Sequence, residues 1–118
     1  ILLIVQNTHM STKLENDNRF KSTVFYALSD PIRLEILSYL RSGEKCVCQI
    51  VPHLNLIQPL VSRHLKILKK AGIVRCRKDS TKRMYSVAYS QIYDVIDALN
   101  SQLVTNLTNE AIENVACR

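Results

Sequence analysis

The chain has 118 residues, 47% of them hydrophobic, with only two Gly and three Pro. That is enough for one core and too little for two ordinary domains, and it excludes a disordered or low-complexity chain in favour of long helices. Sixteen Lys and Arg against ten Asp and Glu leave a formal charge of +6, and nine of the sixteen fall between residues 61 and 83 beside a single acid, Asp79.

The opening ILLIVQNTHM has five apolar residues in a row without a basic flank, which is a poor secretory signal. His9-Met10 reads as a cloning junction with Met10 the natural start, so residues 1–9 carry no functional argument. From Asn18 to Leu28, Phe20, Val24, Phe25 and Leu28 recur at helical spacing and predict a first helix. The second is the best punctuated: Asp30 as N-cap, Pro31 at the first helical position, Gly43 just past the end, and a core-facing stripe of Ile32, Ile36, Leu37 and Leu40. A short third helix is expected from about Cys46 to Leu54. Pro52 opposes it, since an interior proline costs roughly 3 kcal/mol, unless the helix starts near Gln49 and takes Pro52 in its first turn. Asn55 suits a left-handed turn position. The fourth helix, IQPLVSRHLKILKKAG, sets Val61, Leu65 and Leu68 on one side and Gln58, Ser62, Lys66 and Lys69 on the other.

The period then changes to two short strands, IVRCRK and RMYSVA, around a four-residue DSTK turn, a hairpin. From Ser90 onward Ile92, Ile96, Leu99, Leu103 and Leu107 predict one last helix of roughly 18 residues or more. No apolar run approaches the ~20 residues that cross a bilayer.

Two short helices with a polar break and then a cationic hairpin make a winged helix-turn-helix, mainly α with a small β-hairpin wing. Gln58, Ser62, Arg63 and Lys66 can enter a major groove of double-stranded DNA, with Lys69 beside them, while Lys78, Lys82 and Arg83 reach phosphates. His64 lies between the apolar and DNA faces, where a backbone or phosphate contact competes with packing; His53 falls at a helix end. No paired carboxylates, glycine-rich phosphate loop or Ser/His/Asp arrangement points to an enzyme.

The segments ALSDPIRLEILSYL, LVSRHLKILKKAGIV and RKDSTKRMYSV resemble the ArsR/SmtB family of metal-sensing repressors over about residues 18–107. The resemblance implies a cytoplasmic homodimer whose first and last helices form the interface, which binds operator DNA without a cofactor and releases it when an inducer binds. It divides the chain into an N-terminal extension (1–17), a DNA-binding and dimerisation domain (18–107) and a C-terminal tail (108–118). Ile57 stands where the family often has Ser, so the recognition helix lacks a side-chain N-cap, worth roughly 1 kcal/mol.

Cys46, Cys48, Cys76 and Cys117 are too sparse for a disulfide scaffold, and a Cys-x-Cys pair does not easily bridge itself within a helix, so free thiols are expected. EKCVCQI is similar to the ELCVCDL element with which arsenite- and antimonite-sensing family members bind their inducer, and trivalent arsenic and antimony are thiophilic. Within an intact helix residues i and i+2 lie about 200° apart, so the capture of one ion by Cys46 and Cys48 is expected to unwind the segment around Val47. The family's further Cys position is Val51 here. The third ligand is then Cys117, with Cys76 less favoured, or solvent or a small thiol. Zinc fits less well, because the last helix has no His. A competing reading keeps the DNA module and makes the signal thiol oxidation, persulfidation, or cadmium or lead.

Overall fold

The computed structural model describes residues 2–117. Helix α1, Leu2–Leu28, begins well upstream of the expected Asn18. Neither Gly nor Pro precedes Pro31, so nothing in the covalent chain stops the helix earlier. Asp30, extended at φ −147 and ψ 131, starts α2, Pro31–Tyr39, and its carboxylate accepts from the Ile32 and Arg33 amides. A 3-10 turn over Leu40–Ser42 leads to Gly43, whose φ of 129 is one that residues with a Cβ rarely adopt.

Two residues of strand, β1 (Lys45–Cys46), precede α3, Val47–Leu54. Helix α3 therefore starts before Gln49, and Pro52 lies inside it, with no N–H for the Cys48 carbonyl one turn back. Asn55 takes the expected left-handed conformation, φ 54 and ψ 44, and the chain turns into α4, Gln58–Lys70. Ile57, the N-cap residue of α4, makes no side-chain cap. Strands β2 (Val74–Asp79) and β3 (Lys82–Val87) form the hairpin, whose turn is shorter than expected: Asp79 pairs with Lys82, leaving Ser80, at φ 58, and Thr81. The sheet has three strands in the order β1-β3-β2, all antiparallel.

Residues up to Ala88 form one compact unit and those from Tyr89 a second. The first unit's core is Ile36 and Leu37 from α2, Leu40 from the 3-10 turn, Ile50 from α3, Val61, Leu65 and Leu68 from α4, and Ile73, Val74 and Tyr85 around the sheet. The apolar stripes expected on α2 and α4 meet there, except that Ile32 is only half-buried. Arg33 is also buried. Its Nη2 and Nε donate to the last-turn carbonyls of α1, Tyr26 (3.1 Å) and Ala27 (2.7 Å); Tyr26 also accepts from the Ser29 amide and hydroxyl.

In the second unit the expected single helix is two, α5 (Gln91–Ala98) and α6 (Ser101–Ala116). Leu99 leaves helical geometry at ψ 63, and the Asn100 side chain accepts from the Leu103 amide at 2.9 Å, a new N-cap that stops one helix and starts the next. Helix α6 runs through most of the stretch read as a tail; Arg118 lies outside the described residues. Among the described residues no helix is long and apolar enough to cross a membrane.

Candidate nucleic-acid interface and cysteine pair

Helix α4 presents its two faces as the pattern requires: Val61, Leu65 and Leu68 inward, Gln58, Ser62, Lys66 and Lys69 outward. The outward four form one wall of a cleft of about 800 Å³; Thr81, Lys82 and Arg83 of the hairpin form another, and Cys46, Val47, Cys48, Val51 and Pro52 line the rest with Tyr85. Arg63 and Lys78 are exposed outside that lining. Side chains able to hydrogen-bond base edges and cations able to meet phosphates therefore converge from helix and hairpin.

His64, expected among the DNA contacts, belongs elsewhere. It is buried, and its Nδ1 lies 3.0 Å from Nη1 of Arg33. A guanidinium has no acceptor, so Nδ1 accepts and the ring proton sits on Nε2. Arg77 is also engaged: its Nε and Nη2 donate to Glu44 at 2.8 and 2.6 Å. Those bonds hold the Glu44 carboxyl below the usual range and raise the Arg77 guanidinium. This pair ties the hairpin to the segment before β1. His53 closes α3 as expected, 3.0 Å from Glu35 and stacked on Tyr39 with ring centroids 3.8 Å apart.

Of the four cysteines expected as free thiols, Cys76 and Cys117 are free and the other two are not. Cys46 and Cys48 are joined by a disulfide with Cα atoms 5.0 Å apart. The objection that residues two apart diverge around a helix fails because Cys46 is not in the helix. It is the extended N-cap residue, φ −75 and ψ 150, so its side chain folds back over the first turn and its sulfur accepts from the Cys48 amide at 2.8 Å. Gln49 completes a reciprocal cap by accepting from the Cys46 amide at 2.9 Å. The sulfurs meet without any unwinding at Val47. Cys46 is 4% exposed and Cys48 is open to solvent.

Cys76 pairs with Tyr85 while Cys46 pairs with Met84, and neighbouring residues of a strand face opposite sides. Cys76 thus looks away from the pair, toward the Tyr85 hydroxyl, whose pKa is pushed up by burial and by that contact. Cys117 is the exposed C-cap residue of α6. Among the described residues no three His, Cys, Asp or Glu side chains form a cluster that could hold a metal ion.

The profile of the family described as "Bacterial regulatory protein, arsR family" matches residues 30–75. An arsenical resistance operon repressor of Staphylococcus xylosus is 36% identical over 97 residues, which cover 82% of this chain and 88% of that protein. An uncharacterized HTH-type transcriptional regulator of Methanocaldococcus jannaschii is 45% identical over 74 residues, 62% of this chain and 83% of that one. The solution structure of a homodimeric winged helix-turn-helix DNA-binding domain from Mycobacterium bovis superposes with a TM-score of 0.68 at 25% identity, over 86% of this chain and 90% of that one.

Proposed function

The chain belongs to the ArsR family of bacterial regulatory proteins, and from that membership we propose that it is a homodimeric repressor that reads operator DNA through α4 and the β2–β3 wing and leaves it when arsenite or antimonite binds Cys46 and Cys48. The observation that carries the reading is the shared cleft: Cys46 and Cys48 line the same space as Gln58, Ser62, Lys66, Lys82 and Arg83. Two thiolates that converge across one N-cap suit a soft, thiophilic ion. The donors must be reduced first, because a disulfide has no thiolate to offer.

The structure also changes how the signal would travel. To bind an ion, the Cys46 sulfur gives up the bond from the Cys48 amide, a cap of the kind worth about 1 kcal/mol. Cys46 is also a residue of β1, paired to Met84 of the wing. The disturbed residue thus belongs to the sensor and to the sheet that carries the wing cations. Cys117 is the thiol proposed as third ligand, and Cys117→Ser tests it by a weakened arsenite response with operator binding intact.

The homodimer is supported by apolar side chains left exposed on α6, Leu103, Val104 and Leu107, and separately on α1, Phe20 and Phe25. The Cys46–Cys48 disulfide favours a second reading, in which oxidation of the pair is itself the signal. One experiment separates the two. Fully reduced protein is bound to its operator and titrated with arsenite or with peroxide. Release by arsenite alone supports the first reading and release by peroxide alone the second; Cys48→Ser should repress and respond to neither.

A further inference from the structure

The cleft carries more positive charge than a two-sulfur ion site needs. Lys66 and Lys69 of α4 and Lys82 and Arg83 of β3 line it, and its lining includes no Asp or Glu. Among the described residues none of the three lysines is paired with a carboxylate. The two sulfurs are unequal. Cys48 is exposed at the cleft, whereas Cys46 is 4% exposed behind it and held by the Cys48 amide. An outside molecule reaches Cys48 first. Cys46 is within bonding reach of Cys48 and out of reach of bulky partners.

We propose that the cleft is a reaction site for the disulfide of a carboxylate-bearing small thiol, with Cys48 the sulfur that is thiolated, Cys46 the sulfur that resolves the adduct, and Lys66, Lys69 and Lys82 the cations that seat its carboxylates. The Cys48 thiolate attacks one sulfur of the small disulfide, that S–S bond breaks, and one small thiolate leaves and takes up a proton from water. The Cys46 thiolate then attacks the Cys48 sulfur and expels the second small thiolate, which is protonated in turn. The pair loses two electrons to the small disulfide and ends as the Cys46–Cys48 disulfide, with two small thiols released. While the mixed disulfide persists, its carboxylates occupy cations of the proposed DNA-facing surface, Lys66 and Lys69 on α4 and Lys82 on the wing. The chemistry uses the same cysteines as the arsenite reading but does not rest on it.

The test uses the reduced full chain without DNA, in a Cys76→Ser/Cys117→Ser background, mixed with oxidised glutathione, neutral 2-hydroxyethyl disulfide or cationic cystamine. Rates are read by acid quench and intact mass, each normalised to the same reagent acting on dithiothreitol. Charge focusing in a cleft raises such rates by about tenfold or more, so oxidised glutathione should lead by that margin, lose its lead in high salt, and lose it in Lys66→Gln/Lys82→Gln. Because those lysines are exposed, the variant keeps its fold, checked by circular dichroism. Cys46→Ser should stop at a mixed disulfide on Cys48. Equal normalised rates for the three reagents, or a lead that survives both salt and the lysine variant, would overturn the proposal. So would an adduct on Cys46. Operator release by arsenite is a separate readout, so either reading can fail alone.

Discussion

Arg33 shows what a single side chain can hide. Its place in RLEIL sits beside the apolar stripe of α2, and nothing in that spacing distinguishes it from a solvated cation. Its burial follows from three groups that lie elsewhere in the chain: the Tyr26 and Ala27 carbonyls that end α1, and Nδ1 of His64 on α4. Arg33→Met keeps the bulk and removes the donors; the Tyr26 carbonyl keeps the Ser29 amide and hydroxyl, but the Ala27 carbonyl and His64 Nδ1 lose the Arg33 bond, at about 1–3 kcal/mol for a buried group left unsatisfied. Urea denaturation should show a loss of at least that order. The same distant partner draws His64 inward, which is why its position between two faces was ambiguous. Asp30, by contrast, was legible, because an N-cap is a local arrangement. Partial burial pushes its carboxyl up, but the Ile32 and Arg33 amides together with nearby positive charge, Arg33 included, hold it below the ordinary value. A folded-state pKa below the unfolded value of about 3.9 gives stability that is fully present above that value and is lost as pH falls through the folded-state pKa. The stability gap between wild type and Asp30→Asn, measured by denaturation across acid pH, should close over that window.

At the scale of elements, those with a strong period were legible. Helix α4 and the two wing strands read directly from their side-chain patterns, and the outward face of α4 was found with its residues correct. Strand β1 was not, because two residues cannot show an alternation; only pairing with β3 makes Lys45–Cys46 a strand. The α5–α6 break was missed for a different reason. The apolar spacing continues across it, and the break shows in the Asn100 side chain that caps the Leu103 amide. The wing's proposed role has a quantitative signature. Lys82→Gln should weaken binding to every DNA sequence tested and lower the slope of log affinity against log salt by about one per protomer that makes the contact. Fluorescence anisotropy at several salt concentrations measures both.

For the whole molecule, the distribution of apolar surface is the main fact. Within the second unit α5 and α6 bury no residue, although Val95, Leu99, Leu103, Val104, Leu107, Ile112 and Val115 lie along them. Apolar surface on that scale is what the proposed homodimer would cover. Leu107→Glu should shift the chain toward monomer in sedimentation equilibrium and weaken operator binding, while the first unit, whose core does not include Leu107, keeps its fold.

The brevity of β1 has a bearing on tempo. A message that passes through one short rung at the rim of a sheet needs no wholesale melting, so the ten or so side chains locked together beneath it can stay still while the rung is rewritten. Hydrogen exchange at Lys45 and Cys46 would then quicken when a guest arrives, and Leu65 and Leu68 would keep their amides as slow as before.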